Sequence, residues 1–110
     1  MDSKWAAFRL SEIEERRRAG NDPWLEFLKV PSLRTGLYVL AAGAVDTQSP
    51  HAEDEVYHVV RGRGRFTADG EEMAVEAGAV LFVAAGVEHR FHSIEEDLEI
   101  LVFFSSTPPA

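Results

Sequence analysis

Four histidines and a glutamate, gathered in two short stretches, carry the side chains that can bind a metal ion or move a proton. The first, "SPHAEDEVYHVVRGRG" at residues 49–64, sets His51, Glu55, Tyr57 and His58 at the entrance to a run that otherwise reads as a β-strand. The second, "AGVEHRFH" at residues 85–92, sets His89 and His92 just after a Gly86 turn. A neutral imidazole is both a metal ligand and a proton carrier near neutral pH. Two imidazoles and one carboxylate around an ion form a facial triad, which leaves coordination positions for substrate, water or oxygen. The chain has no cysteine, which excludes disulfides, thiolate nucleophiles and Cys-based metal sites.

Strand parity decides which of these residues can meet. On one straight strand His51 and Glu55 would lie roughly 13 Å apart at about 3.3 Å per residue, too far to share an ion. Pro50 and the Ala52-Glu53-Asp54 triplet predict a turn instead, ending one strand near His51 and starting the next at Glu55, so that both side chains point inward. From Glu55 the two-residue period puts Tyr57 and Val59 on its face and His58 on the other. In the second stretch His89 and Phe91 share one face, Arg90 and His92 the opposite one. At most one of the two histidines joins Glu55, and His89 is favoured. Taken singly, a histidine in a turn or a glutamate beside Asp54 is commonly just solvated; the combination carries the metal reading. Tyr57 and His92 are the candidates for moving protons beside the ion.

The elements around these stretches divide the chain into an N-terminal helical segment, residues 1–24, and a single β domain, residues 25–110. "SEIEERRRAG" at 11–20 holds a capping box in Ser11 and Glu14, Glu12/Arg16 and Glu14/Arg18 pairs, and Gly20 as a stop. Its glutamates neutralise Arg16-Arg17-Arg18, so the run reads as a solvated face. Beyond Leu25, short apolar runs alternate with turn residues: "GLYVLAAG", "EVYHVVRG", "GRFTADGEEMAV", "AVLFVAAG" and "LEILVFF". Asp69-Gly70 predicts a hairpin turn. Many short strands after one helix predict an all-β sandwich or barrel. In "LEILVFF", Leu98, Ile100, Val102 and Phe104 share one face, but Leu101 and Phe103 are apolar on the other. That second face needs cover from Trp5, Phe8 and Trp24 or from a second subunit, and a homodimer is the economical expectation. Arg61, Arg63 and Arg65 share a strand face and read as a positive guard on an exposed edge. No arginine clamp for a carboxylate substrate is recognisable.

The 110 residues suffice for one hydrophobic core. A formal charge of −8 argues against nucleic acid and anionic membranes as partners, because binding either rests on clustered Lys and Arg. No apolar run approaches the roughly 20 residues of a membrane span, and the N-terminus lacks the pattern of a secretory signal, so a cytoplasmic location is expected.

The two histidine stretches resemble the motifs of the cupins. The first cupin motif runs Gly, five residues, His-x-His, three or four residues, Glu, six residues, Gly; Gly43, His51, Glu55 and Gly62 fall into it, with Ser49 in place of the first His. The second runs Gly, five residues, Pro-x-Gly-x-x-His, two residues, His, three residues, Asn; Gly78, Gly86, His89 and His92 match, with Ala84 for the proline and Glu96 for the asparagine. The resemblance implies a double-stranded β-helix, a jelly-roll barrel holding a divalent metal ion (Fe, Mn, Ni, Co or Zn) through His51, Glu55 and His89. The usual fourth ligand is replaced: Ser49, on strand spacing, returns to the His51 face but is short for a ligand, and Gln48 or water can complete the shell instead. Small cupins are both enzymes and non-enzymes. The resemblance therefore implies either a metal-dependent enzyme on a small molecule, dioxygenase-like or isomerase-like, or a non-catalytic module that binds or senses a small ligand.

Overall fold

In the computed structural model, which describes residues 4–105, one helix precedes six antiparallel strands. Residues 1–3 and 106–110, the outer ends of the two expected segments, lie outside the described residues. The elements are α1 (Leu10–Gly20), β1 (Trp24–Val30), β2 (Leu33–Leu40), β3 (Glu55–Ala68), β4 (Glu71–Glu76), β5 (Val80–Val83) and β6 (His89–Ser105). The sheet runs β1-β2-β6-β3-β4, with β5 also paired to β3. The fold is all-β with one short helix and agrees with a double-stranded β-helix.

The two longest strands, β3 and β6, serve two walls because they bend. Their pairing shifts register between Val59 and Arg61, Arg61 and Arg63, and Arg63 and Arg65, the mark of bulges that kink a strand. At the bend Gly62 has φ 93°, and a Cβ there would lie 2.1 Å from the Asp97 carbonyl oxygen. Only glycine fits that conformation and that approach. Before the bend, β3 pairs with β5; beyond it, with β4. Asp69 and Gly70, both with positive φ, close the β3–β4 hairpin as their sequence predicts.

Inside, the alternation predicted for β3 and β6 holds. Tyr57, Val59 and Phe66 meet Phe91, Ile94, Leu98, Ile100, Val102 and Phe104 in one core, closed by Val75, Leu81 and Val83. Burying side chains of this size contributes about 1.5–3 kcal/mol each. Tyr57, Phe66 and Phe91 pack as an aromatic cluster with ring centroids 4.7–5.9 Å apart.

The outer surface departs from the sequence reading in three ways. Helix α1 starts one residue before Ser11, on an extended Arg9 with no side-chain cap, so the capping box does not form; Asn21, not Gly20, takes the left-handed closing position. Strand β3 is flanked by β6 and by β4 and β5, so Arg61, Arg63 and Arg65 guard no edge. They stand on the outer face in ion pairs with Glu14 and Glu99, Glu95 and Glu96, and Glu72. Finally, the N-terminal segment covers only part of the sheet. The helix packs on β1 and β2, where Ile13 and Leu37 are buried apart from the main core and Phe8 meets Phe27 edge-on. Trp24 instead turns inward to Tyr38 and Phe104, while Trp5, Val80, Phe82 and Phe103 stay exposed. Among the described residues no helix is long and apolar enough to cross a membrane.

Candidate metal centre

Residues 41–54, joining β2 to β3, contain no strand, and one buried carboxylate organises them. Asp46 accepts from the Tyr38 hydroxyl (2.8 Å) and the Gln48 N–H (3.3 Å) on one oxygen, and from the Gln48 amide nitrogen (2.7 Å) and the Phe91 N–H (3.0 Å) on the other. Because Nε2 of Gln48 is held by Asp46, its Oε1 faces the barrel interior. There it lies 3.2 Å from His51 Nε2 and 3.1 Å from the Tyr57 hydroxyl. The absence of a strand also removes the basis for placing Ser49 beside His51. Ser49 is exposed, and Gln48, the alternative fourth donor, occupies the position beside His51 that strand spacing assigned to Ser49.

The predicted turn before Glu55 brings His51 and Glu55 together, and the other end of the sheet delivers His89. One ligand atom from each of His51, Glu55 and His89 lies within 4.8 Å of the others, a spread that small side-chain rotations close onto one ion with bonds of about 2.0–2.2 Å. His89 Nε2 is 2.7 Å from Glu55 Oε1, and His51 Nε2 is 3.9 Å from Glu55 Oε2.

Hydrogen bonding fixes which nitrogen of His89 faces the cluster without a proton. Its Nδ1 lies 2.8 Å from the Val87 carbonyl oxygen, which can only accept, so Nδ1 carries the hydrogen. In the neutral ring Nε2 then presents a lone pair toward the Glu55 carboxylate. Neither oxygen of Glu55 accepts a hydrogen bond of good geometry among the described residues, although both are buried. Two electron-rich atoms at that distance require a cation between them, a proton or a metal ion. In the metal-free protein burial pushes the His89 pKa down, but Glu55 and the Val87 carbonyl outweigh it, so the net shift is upward, toward the protonated ring. A divalent ion held by His51, Glu55 and His89 would answer the same need, so the donor set fits the metal that the motifs imply.

Tyr57 shares this interior, its hydroxyl 2.8 Å from His89 Nε2. Burial, then the charge of Glu55, pushes its pKa far above the usual phenol value; Tyr57 remains a donor. His92 projects from the opposite face of β6, where Thr67 and Ser93 hydroxyls meet its two ring nitrogens. His58 also lies on that outer side, paired with Leu101. The structure thus gathers His51, Glu55, His89, Gln48 and Tyr57, and leaves Ser49 and His92 outside.

A cavity of about 300 Å³ opens beside His51, walled by Trp24, Tyr38, Val102 and Phe104, with Arg34 among its lining residues. A second, of about 420 Å³, lies against His89, with Thr67 and Arg90 in its lining; Gln48 borders both. Sequence reading missed Asp46, Tyr38 and Arg34. An aspartate in a loop reads as solvated, and no local pattern marks a tyrosine that will reach it from the neighbouring strand.

A family model described as "Cupin domain" matches residues 36–104. An uncharacterised protein of Streptomyces coelicolor is 50% identical over 103 residues, covering 94% of this chain and 96% of that protein. Among solved structures, KdgF from Halomonas sp. superposes with a TM-score of 0.69 at 20% identity, over 80% of this chain and 89% of that one. A variant of salicylate 1,2-dioxygenase from Pseudoaminobacter salicylatoxidans, solved in complex with gentisate, superposes with a TM-score of 0.76 at 17% identity, over 90% of this chain and 33% of that one. The bent six-stranded barrel and the family match agree with the motif spacing, and the chain belongs to the cupin family.

Proposed function

We propose that this protein is a metal-dependent enzyme acting on a small molecule, with His51, Glu55 and His89 holding a divalent ion and Gln48 supplying a fourth donor. The observation that carries the reading is Glu55: a carboxylate 2% exposed, with no hydrogen-bond donor of good geometry on either oxygen, facing an imidazole nitrogen. Burying a charge without such an answer costs several kcal/mol. A bound Fe, Mn, Ni, Co or Zn ion supplies Lewis acidity or, where redox-active, oxygen activation. The chain's own groups set the surroundings. Val87 orients the His89 ring through Nδ1, Asp46 orients Gln48, and Tyr57 keeps its proton and donates it as a hydrogen bond to Gln48 Oε1. The dioxygenase among the structural neighbours is a precedent for the fold beside an oxygen-using reaction.

One observation favours the second reading, a non-catalytic module that binds or senses a small ligand. The expected proton shuttles do not serve: His92 is on the outer face and burial holds Tyr57 protonated. Elemental analysis followed by oxygen-uptake assays on small phenols and thiols separates the two. Stoichiometric iron with oxygen consumption supports the enzyme; stoichiometric zinc or nickel, a tightly held ligand and no turnover support the module. Protein that takes up no divalent metal, and whose melting temperature ignores chelators, removes the metal from both.

A further inference from the structure

We infer that the protein pairs with a second copy of itself by exchanging N-terminal arms, Trp5 of each copy seating in the groove between β4 and β5 of the other and Lys4 meeting Glu71. The groove follows from the bend. Strands β4 and β5 run one after the other along β3, separated by Ala77, Gly78 and Ala79, and their far edges pair with no strand among the described residues. A cavity of about 340 Å³ opens between them, reaching Phe66 and Leu81 of the core, with Met73, Val80 and Phe82 also in its lining. Met73 lies opposite the buried Phe66 in the β3–β4 register, yet it is 48% exposed. The core is uncovered here, over a space that admits one aromatic side chain.

The arm is the unmatched counterpart. Residues 4–9 form no helix or strand and are all exposed; Trp5 is 81% exposed, although an indole offers about 150–250 Å² for burial. This arm does not reach its own groove. Phe8 is held against Phe27 on β1, with ring centroids 5.0 Å apart, and the three residues from Phe8 back to Trp5 span at most about 11 Å when extended. From β1 to β5 the sheet crosses β2, β6 and β3, four strand spacings or roughly 19 Å. The arm of a second copy has no such limit. Trp5 also precedes residues 36–104 that match the family, which makes the exchange a property of this chain.

Charge selects the same contact. Copies of a chain with formal charge −8 repel over most of their surfaces, so they must meet where the signs are opposite. Residues 4–9 carry Lys4 and Arg9 and no acid; the groove carries Glu71 and Glu72 and no base. Glu72 is engaged by Arg65, but Glu71 and Lys4 make no ion pair among the described residues. Each lacks what the other supplies. Reciprocal exchange uses one arm and one groove from each copy, so it closes as a two-fold dimer and leaves neither end open for a growing chain. Two arms in two grooves bury on the order of 1,000 Å², the weak end of specific interfaces, so the dimer is reversible, with a micromolar dissociation constant expected.

Sedimentation equilibrium of the full chain, from low micromolar to submillimolar concentration, should show monomer and dimer in exchange. Trp5→Ala should raise the dissociation constant roughly 30-fold or more, the scale of a buried aromatic anchor. The melting temperature of the dilute protein should not change, because Trp5 is exposed in the single chain. Glu71→Lys should weaken the dimer about 3- to 30-fold, and Lys4→Glu added to the same chain should restore it. Since the chain has no cysteine, oxidative trapping identifies the contact: Lys4→Cys protein mixed with Glu71→Cys protein should form a disulfide-linked pair faster than either variant alone. A wild-type chain that stays monomeric throughout overturns the inference. A dimer that Trp5→Ala leaves intact also overturns it and moves the interface elsewhere, to the exposed Phe103 for example. Growth past the dimer with concentration overturns the reciprocal closure. A disulfide that closes within one chain of the Lys4→Cys, Glu71→Cys double variant would show the arm reaching its own groove, and the second copy would no longer be needed.

Discussion

Strands β3 and β6 carry charge on both faces, and the two faces treat it differently. Outside, the Arg61, Arg63 and Arg65 side chains are 64%, 54% and 45% exposed, and each has a glutamate partner. Inside, the Glu55 and His89 side chains are each 1% exposed, and the carboxylate has no good donor. The outer pairs sit in water, which screens each charge and would solvate a partner left alone. The inner pair has neither recourse. Inside, Glu55 and His89 answer chiefly to each other, and that difference is what makes the inner face, and not the outer one, the candidate for holding an ion.

Glu55→Gln should break this contrast most sharply. Removing the anionic donor should weaken divalent metal by more than ~100-fold, beyond the roughly 10–100-fold typical of residues that only support ligands. Without metal the same change removes the partner that favours the His89 proton, so the chelated variant should melt lower than chelated wild type at low pH, and that difference should shrink as pH rises through the folded value of His89. A loss in the metal-loaded melts that persists at the pH where the chelated proteins melt alike is the signature to look for. His89→Ala should lose metal and His58→Ala should keep it; equal losses would mean that the face assigned to His58 is wrong.

Proton competition gives the next effect. The net upward shift of His89 means that in metal-free protein its stabilising contribution is fully present below the unfolded value of about 6.5 and is lost as pH rises through the higher folded value. Metal works in the other direction, because the ligating nitrogen must be unprotonated. Below the folded value of His89, apparent metal affinity should fall about 10-fold per pH unit for the one proton displaced. The melting-temperature difference between zinc-loaded and chelated protein should therefore widen as pH rises through that window. A difference independent of pH would place the metal away from His89.

A smaller effect separates Gln48 from Ser49. Asp46→Asn keeps the size of the side chain but replaces one acceptor oxygen with a donor, and so loosens the orientation of Gln48; metal affinity should fall roughly 10-fold, as for other supporting residues. Gln48→His should tighten metal, and Ser49→His, on an exposed side chain, should leave it unchanged. Tightening by Ser49→His alone would restore the strand register that the structure lacks.

What the sequence made legible follows from the range of the forces involved. Strand parity is local, and it placed Tyr57 with Glu55, His89 with Phe91, and His58 and His92 on the outer face, as the structure has them. The motif glycines Gly43, Gly62, Gly78 and Gly86 all take positive φ, so a spacing pattern carried real backbone geometry. Parity failed at Ser49 because residues 41–54 are not a strand, and their path is set by Asp46 bonding to Tyr38 on β2 and Phe91 on β6. Such contacts join residues 8 and 45 positions apart, and nothing in either local stretch announces them. The Arg34–Glu53 pair was hidden for the same reason, since its members lie 19 residues apart.

The smallest expected effect belongs to the outer face and completes the contrast. Arg63 bonds Glu95 at 3.1 Å and lies 3.6 Å from Glu96, with all three side chains more than half exposed. Breaking such pairs removes a Coulomb gain that water already screens, and it frees long side chains that the pair had restricted. Arg63→Ala should therefore change stability by less than ~1 kcal/mol, and less still at high salt. His92→Ala removes hydrogen bonds to two hydroxyls that water can replace, and metal affinity should stay at the wild-type value. A loss of metal in His92→Ala would make the two faces communicate through β6, and the separation between a solvated outer face and an inner site would no longer hold.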